Sequence, residues 1–442
     1  MKCENYEDVR RLVSELGIGF IQFWFTDVLG VLKRFSITSS ELEEGLTEGM
    51  GFDGSSIEGF ARIEESDLIA KPDPTTFQLV PWQNGDVPVA RMFCDVLTPD
   101  QKPYEGDPRY VLKRFLGKVN DKGYIWYVGP ELEFFYFKGY QMPGTIDEGG
   151  YFDGHPVDKG DGLRRETINC LQKMGIRVEY DHHEVAPSQH EIDLRYRDGL
   201  TMADQVMAYR VAVKDIAQRH GIYATFMPKP IFGVNGSGMH VHQSLFKGDR
   251  NAFYDPKDEF GLSDLAKHYL AGLIRHAPEI TSVTNQWVNS YKRLVPGYEA
   301  PAYISWGRRN RSAMVRVPMY KPGKERATRI EFRSPDPACN PYLAFAVMLG
   351  AGMEGIEKKY ELPDPVEEDI FKMSPDERRA RGIMQLPDNL YAAVRETEKS
   401  ELVRRVLGDH IFNKFIENKK IEWDNYRTHV SQYEVERYLP IL

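Results

Sequence analysis

The sequence predicts an α+β fold with a small N-terminal unit and a larger unit built on a curved antiparallel sheet with surrounding helices. Its 442 residues exceed what one small core requires, which favours two or more units. A polar, proline-rich run at residues 98–108 separates the first unit from the rest. Beyond this run, strand-like segments alternate polar and apolar residues, unlike the continuous apolar strands of a parallel sheet. Helices are therefore expected behind an antiparallel sheet.

The spacing of apolar residues assigns the elements in order. In the N-terminal unit it predicts helices at 5–16 and 39–48 and strands at 20–27, 31–37, 77–80 and 89–96. In the larger unit it predicts helices at 108–122, 161–175, 200–220, 262–279 and 340–358. Strands are predicted there at 124–137, 177–184, 190–196, 223–228, 238–246, 303–306, 314–317 and 328–333. The last part of the chain is expected to be helical, with helix starts at Ser374 and Ser431.

Charge and cysteine content narrow the class of protein. The net charge of −9 argues against a nucleic-acid partner. The 4 cysteines are scattered with no paired spacing, which indicates reduced thiols and no zinc or disulfide framework. The N-terminus lacks the apolar core of a signal peptide, and no apolar run approaches the ~20 residues that cross a bilayer. We therefore expect a cytoplasmic protein with no membrane partner.

Two glutamates stand two residues apart in the aromatic strand predicted at 124–137. Because a strand alternates its faces, Glu131 and Glu133 point the same way. Carboxylates among aromatic side chains are strongly disfavoured unless a positive partner meets them. Metal ions or arginines are the candidates for that partner.

Three further strands repeat this pattern, and Glu184 lies just before one of them. The paired residues are Glu191 with Asp193, His240 with His242, and Glu331 with Arg333. For a single strand, a solvent-exposed face would be the simplest explanation of this pattern. Four such strands in one unit instead favour a shared polar site. Converging carboxylates and imidazoles without thiolates suit Mg²⁺ or Mn²⁺, and the number of ligands favours two or more ions. Pairs of such ions serve phosphoryl transfer.

Several loops add candidates for ligand contact. The glycine-rich loop at 233–238 is no P-loop, and it is either a plain turn or a place where backbone amides approach a small ligand. Seven arginines within 308–333 favour contact with phosphate or carboxylate over a solvated charge run. Residues 294–301 resemble a mobile lid that carries Glu299. Asp53 stands on another glycine-rich loop, where an Asx turn is the simpler explanation.

Five motifs follow one another along nearly the whole chain: Phe-Asp-Gly-Ser-Ser at 52–56, Gly-Pro-Glu-Leu-Glu-Phe-Phe at 129–135, Asn-Gly-Ser-Gly-Met-His at 235–240, Tyr-Lys-Arg-Leu-Val-Pro-Gly-Tyr-Glu-Ala-Pro at 291–301 and Arg-Ile-Glu-Phe-Arg at 329–333. Together they resemble type I glutamine synthetase. The resemblance implies a β-grasp domain at residues 1–103 and a catalytic domain at 104–442 with a helical C-terminal part. It also implies a homo-oligomer, a dodecamer of two hexameric rings whose active sites lie between subunits. Asp53 would then complete the site of the adjacent subunit.

The resemblance also implies a role for each matching residue. Two metal ions, Mg²⁺ or Mn²⁺, would be bound, one by Glu133, Glu184 and Glu191, the other by Glu131, His240 and Glu331. Glutamate would contact Asn235, Gly236, Arg293 and Arg333. ATP would contact Glu179, His242, Ser244, Arg311, Arg316 and Arg329. Ammonium would meet Asp53, Ser56, Tyr151, Glu184 and Glu299.

The activity implied is the ATP-dependent ligation of ammonia to the γ-carboxylate of glutamate through γ-glutamyl phosphate. Asp53 would take the proton from ammonium, Arg311 would stabilise the transferring phosphate, and the Glu299 lid would exclude water. A γ-glutamyl ligase that uses an organic amine is the alternative enzyme. A non-catalytic relative is disfavoured because no ligand position is lost. A metal-dependent phosphohydrolase would leave the ammonium pocket and the glutamate-binding arginines unexplained.

Departures from the family pattern bear on regulation. Residues 382–387 read Gly-Ile-Met-Gln-Leu-Pro, without the tyrosine that the adenylylated branch carries, so no adenylylation is expected. Arg62 and Glu422 match the pair through which the other branch senses glutamine, so feedback inhibition is expected. Regulatory proteins and other metabolite effectors remain open from sequence.

Overall fold

The computed structural model describes residues 3–59, 66–83, 85–141, 144–298, 300–319 and 323–442. Two predicted site residues, Arg62 and Glu299, lie outside these ranges. The predicted α+β class is confirmed, because two separate sheets are each packed with helices. Within the described residues, no helix combines the length and apolar character needed to cross a bilayer.

The N-terminal sheet is mixed, and its longest strand lies at its centre. Its strands are β1 Phe20–Thr26, β2 Leu32–Thr38, β3 Met50–Asp53, β4 Asp67–Pro72, β5 Gln78–Leu79 and β6 Val89–Leu97. The order is β2-β1-β6-β4-β3, with β5 beside β6, and only the β1–β6 pair is parallel. The alternation-based prediction missed β3 and β4, since Gly51 and Pro72 are typical of turns.

The second sheet carries the strands predicted to hold the polar residues. Its strands are β7 Ile125–Phe137, β8 Val178–His183, β9 Gln189–Leu194, β10 Arg197–Asp198, β11 Tyr223–Thr225, β12 Met239–Lys247, β13 Arg250–Asn251, β14 Trp306–Gly307, β15 Val315–Arg316 and β16 Ile330–Phe332. Its main order is β14-β15-β16-β12-β7-β9-β8, and among its described pairs only β14–β15 is parallel. The long strand β7 is therefore central, with β12 on one side and β9 on the other.

Helices surround both sheets. They are α1 Tyr6–Glu15, α2 Leu42–Thr47, α3 Pro108–Asp121, α4 Asp161–Lys173, α5 Gly199–Arg219, α6 Asp264–Thr284, α7 Ser290–Arg293, α8 Pro341–Lys358, α9 Pro375–Ala380, α10 Leu390–Glu398, α11 Glu401–Leu407, α12 Asp409–Arg427 and α13 Gln432–Tyr438. The helix starts predicted at Ser374 and Ser431 are confirmed, since each forms a reciprocal capping box.

Two sequence predictions are wrong in detail. Helix α6 continues past Pro278 to Thr284, because the burial of Ile280 and Val283 outweighs the helix-breaking effect of proline. The strand predicted at 303–306 shrinks to β14. The Ile304 N–H donates to the Met384 carbonyl at 2.8 Å, so this segment pairs with a loop instead of a strand.

The core is centred on α8, which is buried over most of its length and crosses α6 closely. At the crossing, a Cβ on Gly355 would lie 2.1 Å from the carbonyl oxygen of His268. Glycine is therefore needed for the two backbones to approach. This crossing forms the layer on which the second sheet rests.

A buried arginine ties the N-terminal sheet to the helices of the second unit. Arg109 at the start of α3 is 2% exposed, and its guanidinium donates to Asp73 at 2.8 Å and to Asp95 at 2.5 Å. On the other side it donates twice to Asp204 of α5, at 2.9 and 3.0 Å. One guanidinium therefore binds three carboxylates, which come from both units.

Replacing Arg109 with methionine is expected to lower the free energy of unfolding by about 3–5 kcal/mol, because it leaves the buried Asp204 carboxylate without a cationic partner. Urea denaturation followed by tryptophan fluorescence measures the loss. Lys113→Met is the matched control, since Lys113 pairs with the same Asp95 at 2.6 Å from the surface and should have little effect. Equal losses for the two variants would contradict the assigned role of Arg109.

Candidate active site

The polar strand faces predicted from sequence do converge on one side of the second sheet. The register places Glu131 opposite His240 of β12 on one side and opposite Asp193 of β9 on the other. Two residues further along β7, Glu133 lies opposite Glu191. Directly opposed residues of neighbouring strands share a face. Four carboxylates therefore form a two-by-two array on adjacent strands.

The first acidic group gathers on the β8–β9 side of this array. Ligand atoms of His182, Glu184 and Glu191 lie within 4.8 Å of one another. Glu133 of β7 lies opposite Glu191 of this group, and its carboxylate accepts hydrogen bonds from the Gln189 side chain at 2.8 Å and the Gly238 N–H at 3.0 Å. His182, which the sequence analysis did not select, lies 2.8 Å from Glu184 through Nε2.

The second acidic group gathers on the β12–β16 side. Here ligand atoms of Glu131, His242 and Glu331 lie within 4.8 Å of one another. His242 Nε2 is 2.7 Å from the Glu131 carboxylate, whereas His240 Nδ1 is 3.3 Å from it. His240 also lies 3.7 Å from Glu331 and 4.0 Å from Glu133, so its imidazole stands between the two groups.

The two groups differ in how far nearby cations offset the effect of burial on the carboxylate pKa values. Burial, followed by the nearby Glu184 carboxylate, raises the pKa of Glu133 to about 8. Burial and Asp193 likewise raise the pKa of Glu191. Burial would also raise the pKa of Glu331, but Arg333, His242 and His240 lower it to about 2. Buried carboxylates of high pKa within reach of one another fit the requirement of a divalent cation for several oxygen ligands.

A cleft of about 380 Å³ opens over this array. It brings together thirteen of the predicted site residues: Glu131, Glu133, Tyr151, Glu184, Glu191, Asn235, Gly236, His240, Arg293, Arg311, Arg316, Glu331 and Arg333. Arg293 is buried and held by the carbonyls of Ser334 at 2.7 Å and Arg333 at 3.1 Å. Arg333 donates to Glu331 at 2.6 Å, and its Nε is buried without a hydrogen-bond partner among the described residues. The cleft thus offers fixed cations to an anionic ligand.

A second cavity of about 290 Å³ adjoins the first at Glu131. It is lined by the predicted nucleotide contacts Glu179, His242, Ser244 and Arg329 together with the aromatic residues Tyr127, Tyr196 and Phe246. Arg329 donates to His242 Nδ1 at 3.1 Å, which orients that imidazole toward Glu131. The aromatic walls were not selected from sequence, because their chain positions reveal the cavity only after the sheet forms.

Other predicted residues stand apart from both cavities. Asp53 ends β3 in the N-terminal unit and Ser56 follows it, and the Asp53 carboxylate accepts from the Ser55 N–H at 2.9 Å. The Ser55 hydroxyl and N–H lower the pKa of Asp53. Glu422 of α12 accepts from the Val288 N–H at 3.0 Å and pairs with Lys419 at 2.6 Å. The hydrogen bond from the Ser55 N–H to the Asp53 carboxylate forms the Asx turn considered in the sequence analysis. Asp53 is not among the residues that line the cleft of its own chain.

The concave sheet side with carboxylates, imidazoles and guanidiniums defines an enzyme class that can hold divalent cations beside anionic ligands. Comparison with known proteins narrows the class. A family model described as glutamine synthetase, catalytic domain, matches residues 105–438, and one described as glutamine synthetase, beta-Grasp domain, matches residues 17–99. The chain therefore belongs to the glutamine synthetase family.

Individual relatives agree along the full length. The chain is 53% identical to a glutamine synthetase of Mycolicibacterium smegmatis, covering 98% of this chain and 99% of the relative. It is 50% identical to that of Thermotoga maritima, with the same coverage. Among solved structures, a GmaS/ADP complex superposes with a TM-score of 0.89 at 32% identity, covering 98% of this chain and 99% of the other. The Plasmodium falciparum glutamine synthetase gives 0.89 at 25% identity, with 99% of each chain covered. The resemblance to type I glutamine synthetase is confirmed.

Proposed function

We propose that the protein joins ammonia to the γ-carboxylate of L-glutamate at the expense of ATP, giving L-glutamine, ADP and phosphate for nitrogen assimilation. The observation that carries the proposal is that the carboxylates of Glu131, Glu133, Glu191 and Glu331 line one cleft beside Arg293 and Arg333. Such a cleft suits two anionic substrates that repel each other. The adjoining cavity suits a nucleotide, and one structural neighbour at 32% identity is described as an ADP complex.

Two divalent cations, Mg²⁺ or Mn²⁺, fit the two acidic groups. We assign Glu133, Glu184 and Glu191 to one ion and Glu131, His240 and Glu331 to the other. The position of His242 within the second group makes it a further candidate for that ion. When bound, such ions neutralise phosphate oxygens and so lower the barrier to phosphoryl transfer.

Metal binding is expected to release protons near neutral pH. Glu133 has a folded pKa of about 8 and so holds a proton at pH 7, whereas a metal ligand must be deprotonated. The raised pKa of Glu191 acts in the same direction. Affinity for Mn²⁺ should therefore rise with pH through the range in which Glu133 titrates, near 8. Calorimetry in buffers of different ionisation enthalpy measures the protons released. The Glu133→Gln variant should release fewer protons, and binding without proton release at pH 7 would contradict the raised pKa values.

The substrates then have separate partners. For glutamate we propose Asn235 and Gly236 on the loop and Arg293 and Arg333 on the wall of the cleft. For ATP we propose Glu179, His242, Ser244, Arg311, Arg316 and Arg329. The guanidinium groups fit because they bind carboxylate and phosphate oxygens in pairs.

The reaction requires a better leaving group than the carboxylate oxygen. Transfer of the γ-phosphoryl group to glutamate gives γ-glutamyl phosphate, with Arg311 stabilising the charge that develops on the phosphate. Ammonium is not nucleophilic until it loses a proton, and we assign that proton transfer to Asp53. Ser56, Tyr151, Glu184 and Glu299 would complete the ammonium pocket. Ammonia then attacks the acyl carbon, phosphate departs, and the nitrogen loses a second proton to solvent as the neutral amide forms.

The nitrogen donor separates this function from its alternative. A panel of ammonia, methylamine and ethylamine, each supplied with glutamate and ATP, identifies the donor when the amide products are measured by mass spectrometry. Ammonia should give the highest kcat/KM because charged and polar groups, including Tyr151 and Glu184, line the donor side of the cleft. A preference for an organic amine would replace the proposal with the γ-glutamyl amine ligase.

We propose a dodecamer of two hexameric rings with active sites between subunits. The distance of Asp53 from its own cleft supports a shared site. We also propose domains at residues 1–103 and 104–442, a boundary that falls between the two segments matched by the family models. A cytoplasmic location and the lack of adenylylation stay predictions.

Feedback inhibition by glutamine is proposed to require Arg62 and Glu422. Arg62→Ala should raise the glutamine concentration for half-inhibition by about tenfold, the effect of losing one charged contact, while kcat changes little. Inhibition curves at fixed glutamate measure the shift. The same inhibition curve for the variant and the parent protein would remove Arg62 from the mechanism.

A further inference from the structure

One lysine side chain bridges two segments that border the glutamate side of the cleft. The Lys229 ammonium lies 3.9 Å from the ring centroid of Tyr298, in the segment predicted to be a lid. The same ammonium donates a hydrogen bond to the carbonyl of Val234, on the glycine-rich loop. Lys229 therefore contacts both the lid and the loop at once.

The backbone of Lys229 is held in place by the side chain of Asn289. The backbone N–H of Lys229 donates to the Asn289 side-chain oxygen at 2.7 Å, and the Asn289 side-chain amide donates to the Lys229 backbone carbonyl at 3.0 Å. The loop packs against the lysine stem, because a Cβ on Gly236 would lie 3.2 Å from Lys229 Cδ. Because the backbone and the aliphatic part of the side chain are held in place, the position of the ammonium group depends on its contacts with the Val234 carbonyl and the Tyr298 ring.

Among the described residues, the Lys229 ammonium contacts the Val234 carbonyl and the Tyr298 ring, and neither partner is a carboxylate. Burial, followed by the positive charge of Arg293, lowers the pKa of Lys229. The ammonium therefore depends on a carbonyl dipole and an aromatic face, both of which attract a cation. Opening of the lid would remove one of these two partners.

We infer that Lys229 is a positioning residue that couples closure of residues 294–298, through Tyr298, to the conformation of the glycine-rich loop at 233–238. The inference rests on the proposed function, in which Asn235 and Gly236 bind glutamate and the lid excludes water. Closure and glutamate binding then assist each other, because each stabilises the same lysine position.

Loss of this coupling has a defined chemical consequence. With the lid less often closed, water enters and attacks the acyl carbon of γ-glutamyl phosphate. The carbon–oxygen bond to phosphate breaks, and glutamate and phosphate are released without amide formation. The ratio of phosphate released to glutamine formed therefore reports on the coupling.

Four single variants and one double variant test the inference. K229M removes the cation and Y298L removes the ring, whereas K229R and Y298F retain them. K229M and Y298L should each raise the phosphate-to-glutamine ratio and the KM for glutamate by about three- to tenfold, the range that a cation–π contact supports. The KM for ATP should not move, and K229R and Y298F should restore most of the coupling. The double variant K229M/Y298L should be no worse than the poorer single variant.

The chain offers a matched control and a readout that needs no turnover. Lys71 likewise donates to backbone carbonyls, of Leu46 and Thr47, and lies 5.6 Å from the Tyr6 ring, away from the cleft. K71M should leave the phosphate-to-glutamine ratio unchanged. Hydrogen exchange of residues 294–298 should be faster in K229M than in the parent protein and unchanged in K71M.

Two outcomes would overturn the inference alone: unchanged ratios and exchange in K229M, or additive effects in the double variant, which would show that Lys229 acts without Tyr298. Absence of glutamine from the parent protein would instead overturn the proposed function and this inference with it.

Discussion

Replacing Glu331 with glutamine is expected to lower kcat by about 10²- to 10³-fold. The carboxylate is fully buried, lies within 4.8 Å of ligand atoms of Glu131 and His242, and orients Arg333 through a 2.6 Å hydrogen bond. The amide keeps the volume of the side chain but cannot neutralise a cation. One of the two divalent cations should therefore bind at least about 100-fold more weakly. Steady-state kinetics and Mn²⁺ titration followed by electron paramagnetic resonance measure the two effects.

Glu354→Gln is the matched control for this variant. Glu354 is also a buried acid with two cationic partners, Lys358 at 2.7 Å and Arg405 at 2.5 Å, but it lies on α8 outside the cleft. It should retain both Mn²⁺ sites even if its stability falls. Two unweakened Mn²⁺ sites in Glu331→Gln would contradict the assignment of Glu331 as a ligand.

Asp53→Ala is expected to lower the rate of amide formation by about 10²- to 10⁴-fold, the range of general base catalysis, while ATP and glutamate still bind. Asp53 is exposed, so its removal should not unfold the chain. Asp67→Ala is the control, because Asp67 is also exposed and lies directly opposite Asp53 in the β3–β4 pair. Efficient use of low ammonium by Asp53→Ala would exclude Asp53 as the base.

Mixing the two inactive variants tests whether sites are shared between subunits. A site that takes Asp53 from one subunit and Glu331 from its neighbour is intact in about a quarter of cases when equal amounts assemble at random in a ring. Co-refolded Asp53→Ala and Glu331→Gln subunits should therefore regain up to about a quarter of the parent activity. Co-assembly is checked with two affinity tags. Inactive mixed rings would contradict the shared site.

The paired carboxylates show how far sequence reasoning reached. Strand alternation placed Glu131 and Glu133 on one face, and the two-residue spacing of the other strands led to the prediction of convergence. The pairing register of the strands could not be predicted from the sequence, because neither the order of the strands nor their offset follows from the local pattern of residues. The register decides that Glu133 faces Glu191 while Glu131 faces His240 and Asp193.

Other parts of the site depend on contacts distant in the chain. The resemblance assigned His240 to the metal, yet His242 lies closer to Glu131, because Arg329 from the neighbouring strand segment orients it. Lys229 and Tyr298 are 69 positions apart and carry no local signal of their contact. Arg109 looked like an ordinary helix residue, and only the packing of the two units places three carboxylates around it.

Phosphate release from ATP in the presence of glutamate, with and without ammonium, tests the proposed ligase activity most directly. If the protein ligates ammonia to glutamate, release should be slow without ammonium and should rise steeply with it, with one glutamine formed for each phosphate. Rapid release that is independent of both glutamate and ammonium would contradict this function and indicate a phosphohydrolase.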